Sequence, residues 1–143
     1  MTAHGLTPKE QQLVHQHLDA AAAKLFWRQG VADQRHAFTV ASRVAVTLPG
    51  DDDSYAAALL HDVGKRLAGL GVVRRSIATV FDGIGLPLTA AMRRYRTHGS
   101  VGAAELSAAG FDGIVVSFAA NHPGPPPEGI DEDRWAALLE ADG

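Results

Sequence analysis

Residues 53–65 read Asp-Ser-Tyr-Ala-Ala-Ala-Leu-Leu-His-Asp-Val-Gly-Lys. Asp53 or Ser54 can cap a helix, the run from Tyr55 to Leu60 is rich in alanine and leucine, and Gly64 is a stop signal. The pair His61-Asp62 therefore falls at a helix end. Neighbours on an ideal helix point about 100° apart, yet an ending turn lets an imidazole and a carboxylate reach one ion.

On either side of this segment the signals are also helical. Thr7-Pro8-Lys9-Glu10 opens a first helix, with Thr7 as cap, Pro8 in the first turn and Glu10 returning a bond to the cap; it should run to about residue 29, before Gly30. A second helix is expected over 33–48, stopped by Pro49-Gly50. Beyond the central segment come a stretch over 70–81, breaks at Gly83, Gly85 and Pro87, a helical stretch carrying Arg93 to Arg96, and a following helix over 98–109 closed by Gly110. Residues 114–120 fit helix or strand by pattern, 123–129 must be an irregular loop, and 132–142 form the last helix. The expectation is an all-α chain forming a single domain over 1–143, a length that buries a core without disulfides.

Composition narrows the chemistry. Cysteine is absent, which excludes disulfides and thiolate zinc sites and leaves only nitrogen and oxygen ligands for any metal. Charges or glycines interrupt every apolar run well short of the roughly 20 residues that span a bilayer, so no membrane association is expected. No basic, apolar signal sequence opens the chain, and the cytoplasm is the simplest compartment. The formal net charge of -3 gives no basic footprint for nucleic acid, although Arg93, Arg94 and Arg96 form a local positive cluster.

Polar side chains on apolar helix faces mark candidate sites, because a solvent-seeking group placed there needs a partner. His36 shares a face with Val40 and Val44, His98 with Val101, Gly102 and Leu106, and His122 follows Val115 and Phe118 at helical spacing. Asp142 ends the stripe Trp135, Leu138, Leu139. One such histidine alone is ordinarily a core residue bonded to a carbonyl; the set of them, with His61 and Asp62, points to a buried divalent ion. Imidazole with carboxylate suits manganese, iron, cobalt, nickel or zinc better than calcium. His4, His15 and His17 lie in or before a charged, solvent-facing part of the first helix and stay outside this set.

The order His36, His61-Asp62, His98, His122, Asp142 on an all-helical chain resembles the HD superfamily of metal-dependent phosphohydrolases over about 35–142. Leu59 to Lys65 looks like its central signature, His98-Gly99-Ser100-Val101-Gly102-Ala103 like the stretch with a further ligand, and Leu139-Glu140-Ala141-Asp142 like its closing aspartate. The resemblance implies a compact HD-domain-like helical bundle. His36, His61, Asp62 and Asp142 would hold a first ion, and Asp62 would bridge to a second held by His98 and His122. The second pair resembles the HD-GYP branch, but Asn121-His122 stands for its double histidine and its Gly-Tyr-Pro motif is missing, which argues against a cyclic dinucleotide substrate.

The expected activity is hydrolysis of a nucleotide or other small phosphate ester, with Asp62 and Lys65 catalytic and Lys65, Arg94 and Arg96 contacting phosphate. Two other readings compete. Myo-inositol oxygenase and its relatives resemble the same residue order and would imply a di-iron oxygenase, and a non-catalytic regulatory module could keep the metal as structure. The last ligand could also be Asp131 or Asp133.

Overall fold

The computed structural model describes residues 4–67 and 90–143, with the side chains of 66–67 and 90–98 left aside. Its elements are α1 (Pro8–His17), α2 (Ala20–Trp27), α3 (Val31–Thr47), α4 (Asp52–Leu60), α5 (Gly64–Leu67), α6 (Ala90–Ala108), α7 (Gly113–Asn121) and α8 (Glu132–Asp142). Among the described residues there is no strand, as the all-α reading expected. None of the helices described is long and apolar enough to cross a membrane. The stretch expected at 70–81 lies outside the described residues.

α1 begins as its sequence dictates. Glu10 N–H donates to Thr7 Oγ1 and Thr7 N–H to Glu10 Oε2, closing a capping box. The helix does not continue to residue 29, however. Leu18 is extended and buried, and Asp19 caps a new helix by accepting from Ala22 N–H at 2.8 Å. An aspartate in mid-pattern competes for backbone donors, so a cap displaces the helix interior the apolar spacing suggested.

The centre of the fold is α4, packed against α1, α2, α3, α7 and α8. Every residue from Ser54 to Gly64 is buried, which explains why its sequence shows small and apolar residues all round instead of one stripe. The alanines let five helices approach one axis. Its start is held by Asp51, which accepts from Ser54 N–H at 3.0 Å and from Ser54 Oγ at 2.8 Å. Arg134 on α8 then grips Asp51 at both oxygens, each at 2.7 Å. This fork pins the first turns of α4 and α8 together. Ten residues further along α4 stands His61, eight further along α8 stands Asp142, and at 1.5 Å per residue the two helix ends arrive at about the same depth.

Residues 93–108, expected within two helical stretches, belong to one helix, α6, and 114–120 resolve as helix α7. Glycines explain how α6 approaches its neighbours. A Cβ at Gly99 would meet the Ala120 carbonyl oxygen at 2.5 Å and that of Ala119 at 3.0 Å, and a Cβ at Gly102 would meet Gly64 N at 3.2 Å. One face of α6 thus lies on the end of α7 and on the start of α5. Its own end is a Schellman turn, with Gly110 at a φ of 93°, Gly110 N–H bonded to Ser107 O and Phe111 N–H to Leu106 O.

Gly99→Ala should therefore force α6 and α7 apart and lower stability by about 1–3 kcal/mol, the usual cost of overpacking. Chemical denaturation followed by circular dichroism checks this; an unchanged midpoint would mean that the helices are not in backbone contact at Gly99.

Candidate metal centre

At the carboxyl end of α4 the chain leaves the helix in one turn, 61–63, before α5. That turn aims His61 and Asp62 at the same point. His61 Nε2 stands 3.2 Å from Asp62 Oδ2 and 3.2 Å from Oδ1 of Asp142 at the end of α8. His36 on α3 adds Nε2 at 2.9 Å from Asp142 Oδ1, and His122, just after α7, adds Nε2 at 3.5 Å from Asp62 Oδ1. Five of the six expected ligand residues are thereby brought together. Asp142 is in the cluster, whereas Asp131 caps α8 by accepting from Arg134 N–H, and Asp133 is exposed in its first turn. His98 lies on α6, but its side chain, with those of Arg94 and Arg96, is outside the described residues.

Burial is graded across the cluster. The side chains of His61 and Asp62 are 1% and 8% exposed, while His36 is 41% exposed. His36 is thus at the rim and not inward as its spacing suggested. The reason is rotational drift: each step of four residues turns the helix by about 40°, so residue 36 sits at the edge of the stripe centred on Val40 and Val44.

Two histidines have their ring orientation fixed by the backbone. His61 Nδ1 lies 2.6 Å from the Ala58 carbonyl and His122 Nδ1 lies 2.6 Å from the Phe118 carbonyl. A carbonyl only accepts, so each Nδ1 carries a hydrogen, and in the neutral ring Nε2 presents its lone pair to the cluster. Metal-bound histidines are held in the same way, the other ring nitrogen donating to a carbonyl or carboxylate. Phe118 stacks on the His122 ring at 4.9 Å and Trp135 meets Phe118 edge-on, which holds the wall behind it.

The consequence is an electrostatic conflict. His61 Nε2 is buried without a hydrogen-bond partner, and the nearest groups are two carboxylates, which also only accept. Either a proton or a cation must occupy the space between them. For the proton, burial alone would lower the His61 pKa, but bonding to Asp142 and Asp62 outweighs it and raises it from an ordinary 6.5 to about 10. Asp142 is lowered to about 2, by its bond to His61 first and against its burial. Burial would raise Asp62, yet His122, His61 and Lys65 together hold it well below the usual carboxylate range.

For the cation, the donor atoms fit. One atom each from His36, His61 and Asp62 lie within 4.8 Å of one another, as do those of His61, His122 and Asp142. Ligand atoms around an ion at about 2.0–2.2 Å lie roughly 2.8–4.4 Å apart, and the separations of 2.9, 3.2 and 3.5 Å fall in that range, so this group of histidines and aspartates can hold a metal ion. The position at the carboxyl end of a buried helix favours positive charge as well.

Lys65 donates to Asp62 Oδ2 at 2.7 Å, with Asp33 Oδ1 at 4.0 Å from the same ammonium. Asp33 was not among the residues the sequence singled out. The signal was available in its spacing, since it precedes His36 by three residues and so shares its side of α3. His17, resting on Tyr55 at 4.2 Å, and His15, near Trp27 at 5.5 Å, are occupied away from the cluster.

No protein-family model, curated protein or solved structure matches the chain.

Purified protein should carry a transition metal, and His61→Ala should lose most of it by elemental analysis; equal content in wild type, His61→Ala and Asp62→Ala would remove the assignment. In metal-free protein the raised His61 pKa stabilises the fold fully below pH 6.5, a contribution lost progressively as pH rises through about 10. The melting temperature of chelator-treated protein should accordingly fall across that interval, and the fall should shrink in His61→Ala. Metal affinity should show the opposite slope, rising with pH as His61 gives up its proton.

Proposed function

We propose that the protein is a metal-dependent phosphohydrolase acting on a nucleotide or another small phosphate ester. The observation that carries the reading is the lone pair of His61 Nε2, fixed by the Ala58 carbonyl and facing two carboxylates at 3.2 Å. His36, His61, Asp62 and Asp142 would hold the ion. Asp62 reaches His122 through its other oxygen, as a carboxylate bridging to a second ion held with His98 would.

A divalent transition metal such as manganese, iron, cobalt, nickel or zinc would lower the pKa of bound water towards about 7 and neutralise phosphoryl oxygens. The remaining roles fall to the chain itself. Lys65 keeps its proton: burial would lower its pKa, but the bond to Asp62 outweighs this and raises it. Its side chain is 40% exposed, beside half-exposed His36 and Asp33, so the open side of the cluster carries a permanent positive charge. An anionic ester approaching from that side meets Lys65 first, and the ammonium can exchange part of its contact with Asp62 for a phosphoryl oxygen. Asp62 and His61, sealed behind it, stay oriented and dry. Arg94 and Arg96, carried on the same helix as His98, would add charge for phosphate.

The test is a panel of nucleotides and simple phosphate esters assayed with each metal, beside oxygen uptake on iron-loaded protein. Phosphate release that vanishes in His61→Ala is expected. Lys65→Ala should cut kcat/KM by about a hundredfold, the usual cost of removing one positioned electrostatic group, with a smaller loss of metal. Oxygen consumption coupled to substrate loss, with no phosphate from any ester, would overturn the reading in favour of an oxygenase.

A further inference from the structure

The ligands of this cluster are not equally well supported. His61 and His122 are each oriented by their own carbonyl bond, and Asp62 is held by Lys65. Among the described residues, the Asp142 carboxylate is met by His36 and His61. Its placement therefore depends on the backbone of the last turn of α8, whose final carbonyls have no donors within the helix.

Arg43 reaches that turn from α3. Its Nη1 donates to the Ala141 carbonyl at 2.9 Å, across 98 residues of sequence. Arg43 follows His36 by seven residues, two turns along, so both project from the same side of α3. One grips the backbone of Ala141 and the other the side chain of Asp142. A guanidinium at a helix carboxyl end also faces the negative pole of the helix. Gly143 N–H, bonded to Leu139 O at 3.0 Å, completes the turn.

We propose that Arg43 is a positioning residue of the metal centre, clamping the last turn of α8 so that Asp142 Oδ1 falls between His36 and His61. This rests on the metal-binding reading above. Among the described residues Arg43 bonds to no side chain of the cluster; it acts through Asp142 by fixing the peptide that precedes it. A bond that served only to close a helix end would contribute to stability alone, whereas a clamp on a ligand must also change metal affinity through that ligand.

Cobalt(II) titrations of wild type, Arg43→Ala, Arg43→Lys, Asp142→Asn and the Arg43→Ala/Asp142→Asn double variant separate the two. Arg43→Ala should weaken cobalt binding about ten- to a hundredfold, the range for losing a group that orients a ligand, with Arg43→Lys recovering part of it. In the Asp142→Asn background Arg43→Ala should have no further effect, because the ligand it positions is gone. Amide exchange at Gly143 should quicken in metal-free Arg43→Ala while the core amides keep their protection, showing that the fold is intact. Unchanged cobalt affinity in Arg43→Ala, or the same loss with and without Asp142, overturns the proposal alone. A wild-type protein that binds no cobalt overturns the metal reading and the proposal with it.

Discussion

His61 Nε2 stands at the carboxyl end of a helix packed, among the described residues, against five others, and it faces the oxygens of Asp62 and Asp142. Three acceptors so placed repel one another, and burial denies them the water that would separate their charges. Much of the architecture bears on this point. α4 must be wrapped on all sides for its end to be dry, which requires its small residues. The backbone carbonyls of Ala58 and Phe118 must hold the Nδ1 protons for the Nε2 atoms to converge. The price of this geometry is a site that is stable only with a positive charge in it.

Bringing the partners to that point is a matter of register. The Arg134–Asp51 fork fixes the relative positions of α4 and α8 at their first turns, and the regular rise of both helices delivers His61 and Asp142 together at the other end. Gly99 and Gly102 play the equivalent part for α6, Gly99 allowing its backbone to settle against the end of α7, just before His122, and Gly102 against the start of α5, just after Asp62. A single methyl at residue 99 would be felt at the site because interiors are packed too tightly to absorb it.

Much of this was legible in the sequence. The cap at Thr7, the stop at Gly110 and the placement of His61-Asp62 at a helix end follow from local chemistry, which the structure leaves unaltered. The inward placement of Asp142 followed from the stripe Trp135, Leu138, Leu139, since helical periodicity is conserved on folding. What could not be read was set by contacts between distant segments. The break at Asp19 depends on whether a cap or a helix interior wins, which is decided by how Leu18 packs. The rim position of His36 depends on where the core stripe of α3 is centred. Arg43 looks like an ordinary surface charge until α8 is placed against it, and Asp33, although its spacing puts it on the His36 side of α3, gains its partner only when Lys65 is placed beside it.

Charge balance around the cluster bears on which cation belongs there. Asp33, Asp62 and Asp142 contribute three carboxylates, Lys65 one ammonium, and the histidines are neutral when their Nε2 atoms are ligands. Two negative charges are left over. A proton on His61 offsets one of them, leaving the cluster anionic and the imidazolium buried, whereas a divalent cation offsets both and lets His61 remain neutral. The cluster is then neutral overall, with the Lys65 ammonium and the Asp33 carboxylate standing side by side at its open edge. With a divalent ion bound, an anionic ligand would gain most by entering between Lys65 and that ion, because there it would meet two cations at once. A neutral substrate has no such gain to set against the loss of the Lys65–Asp62 bond. That asymmetry is why the proposed function takes a phosphate ester and not an uncharged substrate.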